Sequence, residues 1–169
     1  MGVRDWGLVA ASLALFLDQA SKIFLLYGLG LRREGHVIPL FPHFNLDMHW
    51  NAGISFGIFQ SKGPLGTAIL VVFSLAAVAG LARWLWGAAH LGLAVGLGLI
   101  MGGAIGNLID RMVYGQVADF FHFYAMGYDW YVFNIADCAI TLGVAALVYD
   151  AFFRPQARNS ANGQAGAGK

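Results

Sequence analysis

Four stretches of the chain are apolar over the roughly 20 residues that a helix needs to cross about 30 Å of hydrocarbon. Residues 6–31 are interrupted only by Asp18 and Lys22, 64–82 and 91–109 carry no charge, and 132–149 contains Asp137 alone. The first stretch also has the outline of a signal peptide, with Arg4 ahead of an apolar run and Ala20-Ser21 behind it. An acid and a base four residues apart share a helix face and pair there, so the segment reads as a retained span. A helix is not expected to continue past Pro155, and residues 154–169 lack apolar periodicity, which predicts a disordered cytoplasmic tail.

An even number of spans puts both termini on one side. With the termini in the cytoplasm, Arg4, Arg83, Arg154, Arg158 and Lys169 lie inside, and Arg32, Arg33, Lys62 and Arg111 outside, a small positive-inside excess. Residues 32–63 and 110–131 then share the outer surface with the end of the third span and the start of the fourth. The uncommon polar residues gather there: Asn51, Asn107, Asp110, Arg111, Asp119, Asn134 and Asp137. From Phe44 to Ile58 every even position is apolar, while the odd positions from 45 to 57 are Asn, Asp, His, Asn, Gly, Ser and Gly. That period of two predicts a bent strand or hairpin on the membrane surface, turning at Gly53 or Gly57, with Asn51 and Ser55 toward a polar site. Val117–Tyr124, rich in β-formers, is its candidate partner. The expected architecture is a membrane all-α fold: four transmembrane helices with a small extracytoplasmic β-cradle, about 36–60 and 112–131, in one domain over residues 1–153.

Composition narrows the chemistry. Of 169 residues, 59% are hydrophobic and 11% charged, against about 25% charged in soluble domains, and the mean hydropathy is +0.65. A net charge of +1 without a basic stretch offers no face to nucleic acid. The single cysteine, Cys138, excludes an internal disulfide and a cysteine-rich zinc site. His36, His43, His49, His90 and His122 do not form a His-Glu-x-x-His motif, and neither Ser55 nor Cys138 has an identifiable histidine partner. In the third span Gly98, Gly102 and Gly106 recur every fourth residue, a stripe that admits a neighbouring helix backbone.

The polar residues suggest what the outer end does. Asp137 lies about five residues into the fourth span, roughly 7–8 Å below its start. Ionisable groups at such depth mark function more often than packing, although an acid also suits the N-terminal end of a helix dipole. Asn134, three residues earlier, shares its face. Asp119, between Val117-Ala118 and Phe120-Phe121, fits either an acid turned inward toward Asp137 or an ordinary turn aspartate. Two carboxyls brought together share a proton, so that one activates water while the other polarises a peptide carbonyl, and an amide is hydrolysed without a metal. Asn107, Asp110 and Arg111 read as a helix end with a solvated ion pair, or, for Arg111, as a clamp on a lipid phosphate or on the loop bearing Asp119. Asp18 and Lys22 read as a structural pair or as the far wall of the site. The rivals are a proton-coupled membrane carrier using Asp18, Lys22 and Asp137, and a non-catalytic assembly protein. The lack of an internal repeat and the gathering of polar residues at one surface speak against the carrier.

The runs Asp18-Gln19-Ala20-Ser21-Lys22, Asn51-Ala52-Gly53-Ile54-Ser55-Phe56, Gly102 to Arg111, Val117-Ala118-Asp119-Phe120 and Phe133-Asn134-Ile135-Ala136-Asp137-Cys138 together resemble the lipoprotein signal peptidases (type II signal peptidase), in order, over residues 6 to about 153. The resemblance implies an aspartic endopeptidase of the bacterial inner membrane, multi-pass, with both termini cytoplasmic and its active site near the periplasmic surface. Such an enzyme removes signal peptides from diacylglyceryl-modified prolipoproteins by cutting N-terminal to the lipidated cysteine. The family's catalytic aspartates fall on Asp119 and Asp137, and its supporting polar residues on Asp18, Lys22, Asn51, Asn107, Arg111 and Asn134. No metal or other cofactor is implied. The expected partners are the prolipoprotein and membrane lipid, with a monomer as the working unit. Ala52 stands where the family commonly has Thr, Ile54-Ser55 where small residues are usual, and Cys138 where Ser is frequent. These departures flank the polar positions and bear on substrate fit.

Overall fold

The computed structural model describes residues 1–53 and 63–153; residues 54–62 and 154–169, and with them Ile54, Ser55, Gly57 and the expected tail, lie outside the described residues. The order is α1 (Val3–Ile23), β1 (Val37–Phe41), β2 (Phe44–Asn51), α2 (Pro64–Trp86), α3 (Leu91–Tyr114), β3 (Val117–Ala125), β4 (Tyr128–Asp129) and α4 (Ile135–Phe153). All four helices are long and apolar enough to cross a membrane. Their outward faces carry large apolar side chains such as Phe16, Phe73, Leu142 and Phe152, as hydrocarbon surroundings require.

The middle of the bundle is α3, which packs against α1, α2 and α4. Without a hydrophobic drive between helices in lipid, close association depends on small residues at the contact. A Cβ on Gly98 would fall on the Gly7 carbonyl of α1, and one on Gly102 on the Ala11 carbonyl. The expected stripe is therefore the α1 contact. A second one, Gly96 and Gly103, receives α4 at the carbonyls of Gly143 and Ala136.

At one end of the bundle α1 loosens into a π-helical turn, Phe24–Gly28, whose Leu25 and Leu26 form the floor of a second apolar cluster. The sheet lies on that floor in the order β1-β2-β3-β4, all pairs antiparallel. Leu46 and Met48 of β2 join Ala118 and Phe120 of β3 in the cluster, so the apolar even positions face it as the alternation predicts. Strand β2 ends at Asn51 and the chain leaves the ladder at Ala52-Gly53, in agreement with a bend at Gly53. A register shift between Leu46 and His49 brings His49 opposite Asp119 and Asn51 opposite Val117.

Several helix boundaries differ from the sequence expectation, and two of them lie at the end of the bundle that carries the sheet. Helix α3 runs on to Tyr114, where Gly115 in the left-handed region (φ 79°) ends it. Helix α4 begins only at Ile135, because Phe133 is drawn onto the sheet, bridging Phe121 with ring centroids 5.9 Å apart.

The backbone contact between α1 and α3 predicts a selective intolerance. Gly102→Ala should lower stability in detergent by about 1–3 kcal/mol, the usual range for overpacking. Gly80→Ala, at a position with nothing within 4 Å of the added carbon, should leave the thermal midpoint unchanged or slightly raised.

Candidate active site

The polar residues meet where the sheet rests on one end of the bundle, at the C-terminal ends of α1 and α3 and the N-terminal end of α4. On β3 the neighbours Ala118 and Phe120 enter the apolar cluster, so the two-residue alternation turns Asp119 to the opposite face. There it is fully buried. Asn134 Nδ2 donates to Asp119 Oδ1 at 2.6 Å, and Asn51 Nδ2 donates to Oδ2 at 3.1 Å. Burial raises the Asp119 pKa from the ordinary 3.8 to about 8, helped by the nearby Asp137 charge and opposed by the two amide donors and Lys22.

Asp137 is the third residue of α4 rather than the fifth of a span, and therefore sits in the first turn. Asn134 caps that turn: its Oδ1 accepts from Asp137 N at 2.9 Å, and its own N–H donates to Asp137 Oδ2 at 3.3 Å. This is the reciprocal arrangement of a capping box. Asp137 Oδ1 accepts from Asn107 Nδ2 at 3.0 Å. One asparagine, Asn134, thus donates to both carboxyl groups, to Asp119 through its side-chain amide and to Asp137 through its backbone N–H.

Beneath the pair lies a buried ionic cluster. Lys22 Nζ, 2% exposed, is 2.9 Å from Asp18 Oδ2 and 2.8 Å from Asp110 Oδ2, and donates to Asn107 Oδ1 at 3.2 Å. Asn107 Oδ1 also accepts from Asn134 Nδ2 at 3.2 Å, so the cluster connects to both carboxyls through two amides. Asp18 Oδ1 accepts from Ala136 N at 2.9 Å, which satisfies a further orphan donor of the α4 N-terminus. Gly106 leaves room for Asp18, whose carboxyl occupies the place of a Cβ.

Arg111 does not hold the segment bearing Asp119. Its Nη2 donates to the Gly53 carbonyl at 2.8 Å and its Nη1 to the Asn107 carbonyl at 3.3 Å, so it ties the end of the β2 connection to α3. That segment is held instead by Asp110, whose Oδ2 accepts from Ala118 N at 3.1 Å. Asp110 is buried inside α3, not part of a solvated pair at its end. Gln19 likewise reaches Asp18, Asp110 and the Gly106 carbonyl. Sequence reasoning gave Gln19 no role and read Asp110 as part of a solvated helix end. The available signal was an Asn-x-x-Asp-Arg run inside an apolar stretch that continues through Met112-Val113.

Beside the pair a cavity of about 410 Å³ opens, bounded by Trp130, Tyr131, Phe133, Asp137, Cys138 and Thr141. It is mostly apolar with one carboxyl at its wall, suited to an apolar ligand carrying a polar group. Cys138, where the resemblance leads one to expect Ser, lines it. Three of the five histidines engage acids elsewhere: His49 with Glu34, His90 with Asp150, and His122 with Asp47 and Asp129.

The profile of the family described as Signal peptidase (SPase) II matches residues 10–153. The chain is 50% identical over 148 residues to a lipoprotein signal peptidase of Rhodopseudomonas palustris (strain TIE-1), covering 85% of this chain and 90% of that protein. It is 48% identical over 155 residues to a lipoprotein signal peptidase of Nitrobacter hamburgensis, covering 89% and 94%. A solved structure described as a bacterial membrane enzyme, obtained by the in meso method at 2.3 Å resolution, superimposes with a TM-score of 0.74. It is 27% identical and covers 89% of this chain and 92% of that one.

The raised Asp119 pKa has a sign that stability measurements can read. Native Asp119 keeps its proton up to about pH 8, whereas the unfolded chain releases it near 3.8. The native state binds the extra proton in between, so its contribution is complete below about pH 4 and is lost as pH rises through 8. Asp119→Asn removes that dependence. The stability difference, variant minus wild type, should grow between pH 4 and pH 8 by at least about 1 kcal/mol, the value of one pKa unit. A difference that stays flat in thermal melts across this range overturns the assignment.

Proposed function

The chain belongs to the signal peptidase II family, the lipoprotein signal peptidases, and from that premise we propose that Asp119 and Asp137 are its catalytic carboxyls. The protein is a protease of the bacterial inner membrane. Its reaction is the removal of signal peptides from prolipoproteins. In our reading the substrate carries a diacylglyceryl-modified cysteine, and the bond cut lies on its N-terminal side. The site faces the periplasm, both termini lie in the cytoplasm, and the enzyme works as a monomer within membrane lipid.

The observation that carries the aspartic mechanism is the bonding of Asn134 to both carboxyls. In this mechanism Asp119 holds the proton of the pair and donates it to the scissile carbonyl oxygen. Asp137, held by Asn107 and the Asn134 N–H, takes a proton from water as the water oxygen adds to the carbonyl carbon. The tetrahedral diol then collapses, the amine leaves with the proton held by Asp137, and a hydroxyl proton returns to Asp119. Lys22 and Asn107 hold the donors in place, so little reorganisation accompanies the charge movement. The apolar cavity receives the substrate backbone and excludes bulk water from it.

A carrier needs a path across the membrane. Among the described residues the polar network ends at Asp18 and Lys22, and beneath it Gly98 and Gly102 close against Gly7 and Ala11. The carrier reading is not favoured.

Cleavage of a lipidated prolipoprotein by purified protein, with chelator present, tests the mechanism. Asp119→Asn and Asp137→Asn should each lose at least about 10³-fold in kcat, within the range that a general acid or base supplies. Retention of most of the rate by either variant removes that residue from the reaction.

A further inference from the structure

We propose that Tyr131 is a positioning residue for the carboxyl pair, acting through Asn51. The proposal rests on the reading of Asp119 as a reacting group. Asn51 Nδ2 lies 2.6 Å from Tyr131 Oη and 3.1 Å from Asp119 Oδ2, and Asn51 Oδ1 accepts from Gly53 N at 2.9 Å. A primary amide has two N–H donors and one carbonyl acceptor. The Gly53 N–H fixes which end of the amide points at Asp119. Tyr131 Oη takes the second Nδ2 proton at the shortest distance of the three, and so sets the plane in which the first proton meets the carboxyl. Without the hydroxyl, the amide keeps its oxygen contact and the longer 3.1 Å bond to Asp119, and its plane is free to turn against the carboxyl.

The position of Tyr131 gives this contact a further effect. Its ring belongs to the wall of the cavity that Asp137 also lines, while Asn51 closes β2 on the other side of the site. Tyr131 thus stands between the cavity and the Asn51 amide that meets Asp119. The hydrogen bond from Asn51 favours the ionised form of Asp119 against the burial that raises its pKa. Loosening Asn51 therefore moves the loss of the Asp119 proton to higher pH.

Tyr131→Phe keeps the ring in the cavity wall and removes only the hydroxyl. The expected result is a fall of about two- to tenfold in kcat, the range one hydrogen bond supplies, with the KM for prolipoprotein unchanged. In the same folded protein, infrared titration of the protonated-carboxyl band that Asp119→Asn abolishes should show its midpoint shifted upward. In an Asn51→Ala background, Tyr131→Phe should add nothing to either measurement. A lowered rate with an unmoved midpoint denotes a structural role and overturns the proposal. Unchanged kinetics and midpoint, or additive effects with Asn51→Ala, overturn it as well. If the wild type cuts no prolipoprotein, the functional reading falls, and the infrared comparison alone decides whether Tyr131 acts on Asp119 through Asn51.

Discussion

One buried ammonium between two carboxylates governs the placement of the elements around it. Moving Lys22, Asp18 and Asp110 out of water costs several kcal/mol per ion, and the attraction among them offsets this only with close geometry and further hydrogen bonds. The second contacts of the two acids are therefore as important as their pairing with Lys22. Asp18 reaches Ala136 N at the start of α4, and Asp110 reaches Ala118 N on β3. The same ions that hold α1 to α3 hold the roots of both elements that carry the proposed catalytic carboxyls. Removing one member leaves a buried charge uncompensated, which typically costs about 3–5 kcal/mol.

The apolar framework was legible in the sequence because membrane spans and strand alternation leave strong periodic signals. The spans around 64–82 and 91–109, the stripe at Gly98, Gly102 and Gly106, and the inward even positions Leu46 and Met48 all follow from spacing alone. The start of α4 was not legible. Val132 and Phe133 are as apolar as the helix that follows, and only the Phe133–Phe121 contact takes them out of it. Asp137 consequently lies at a helix terminus, so the capping reading and the functional reading of this residue describe the same geometry.

Asp110 and Tyr131 mark a different limit. Their roles depend on partners 88 and 80 positions away in sequence, Lys22 and Asn51, and no local pattern encodes such a distance. Arg111 was read as a clamp, but its partner is the Gly53 carbonyl, a backbone atom that residue types do not reveal. The family resemblance located the polar positions as a set, while which atom of each meets which partner came from the packing of the sheet onto α1.

The two carboxyls belong to elements of different kinds. Asp119 rides on the buried stretch of β3 and Asp137 on the first turn of α4, with Asn134 joining them directly. Anything that shifts the sheet against α4 therefore acts on both carboxyls at once, through a single asparagine.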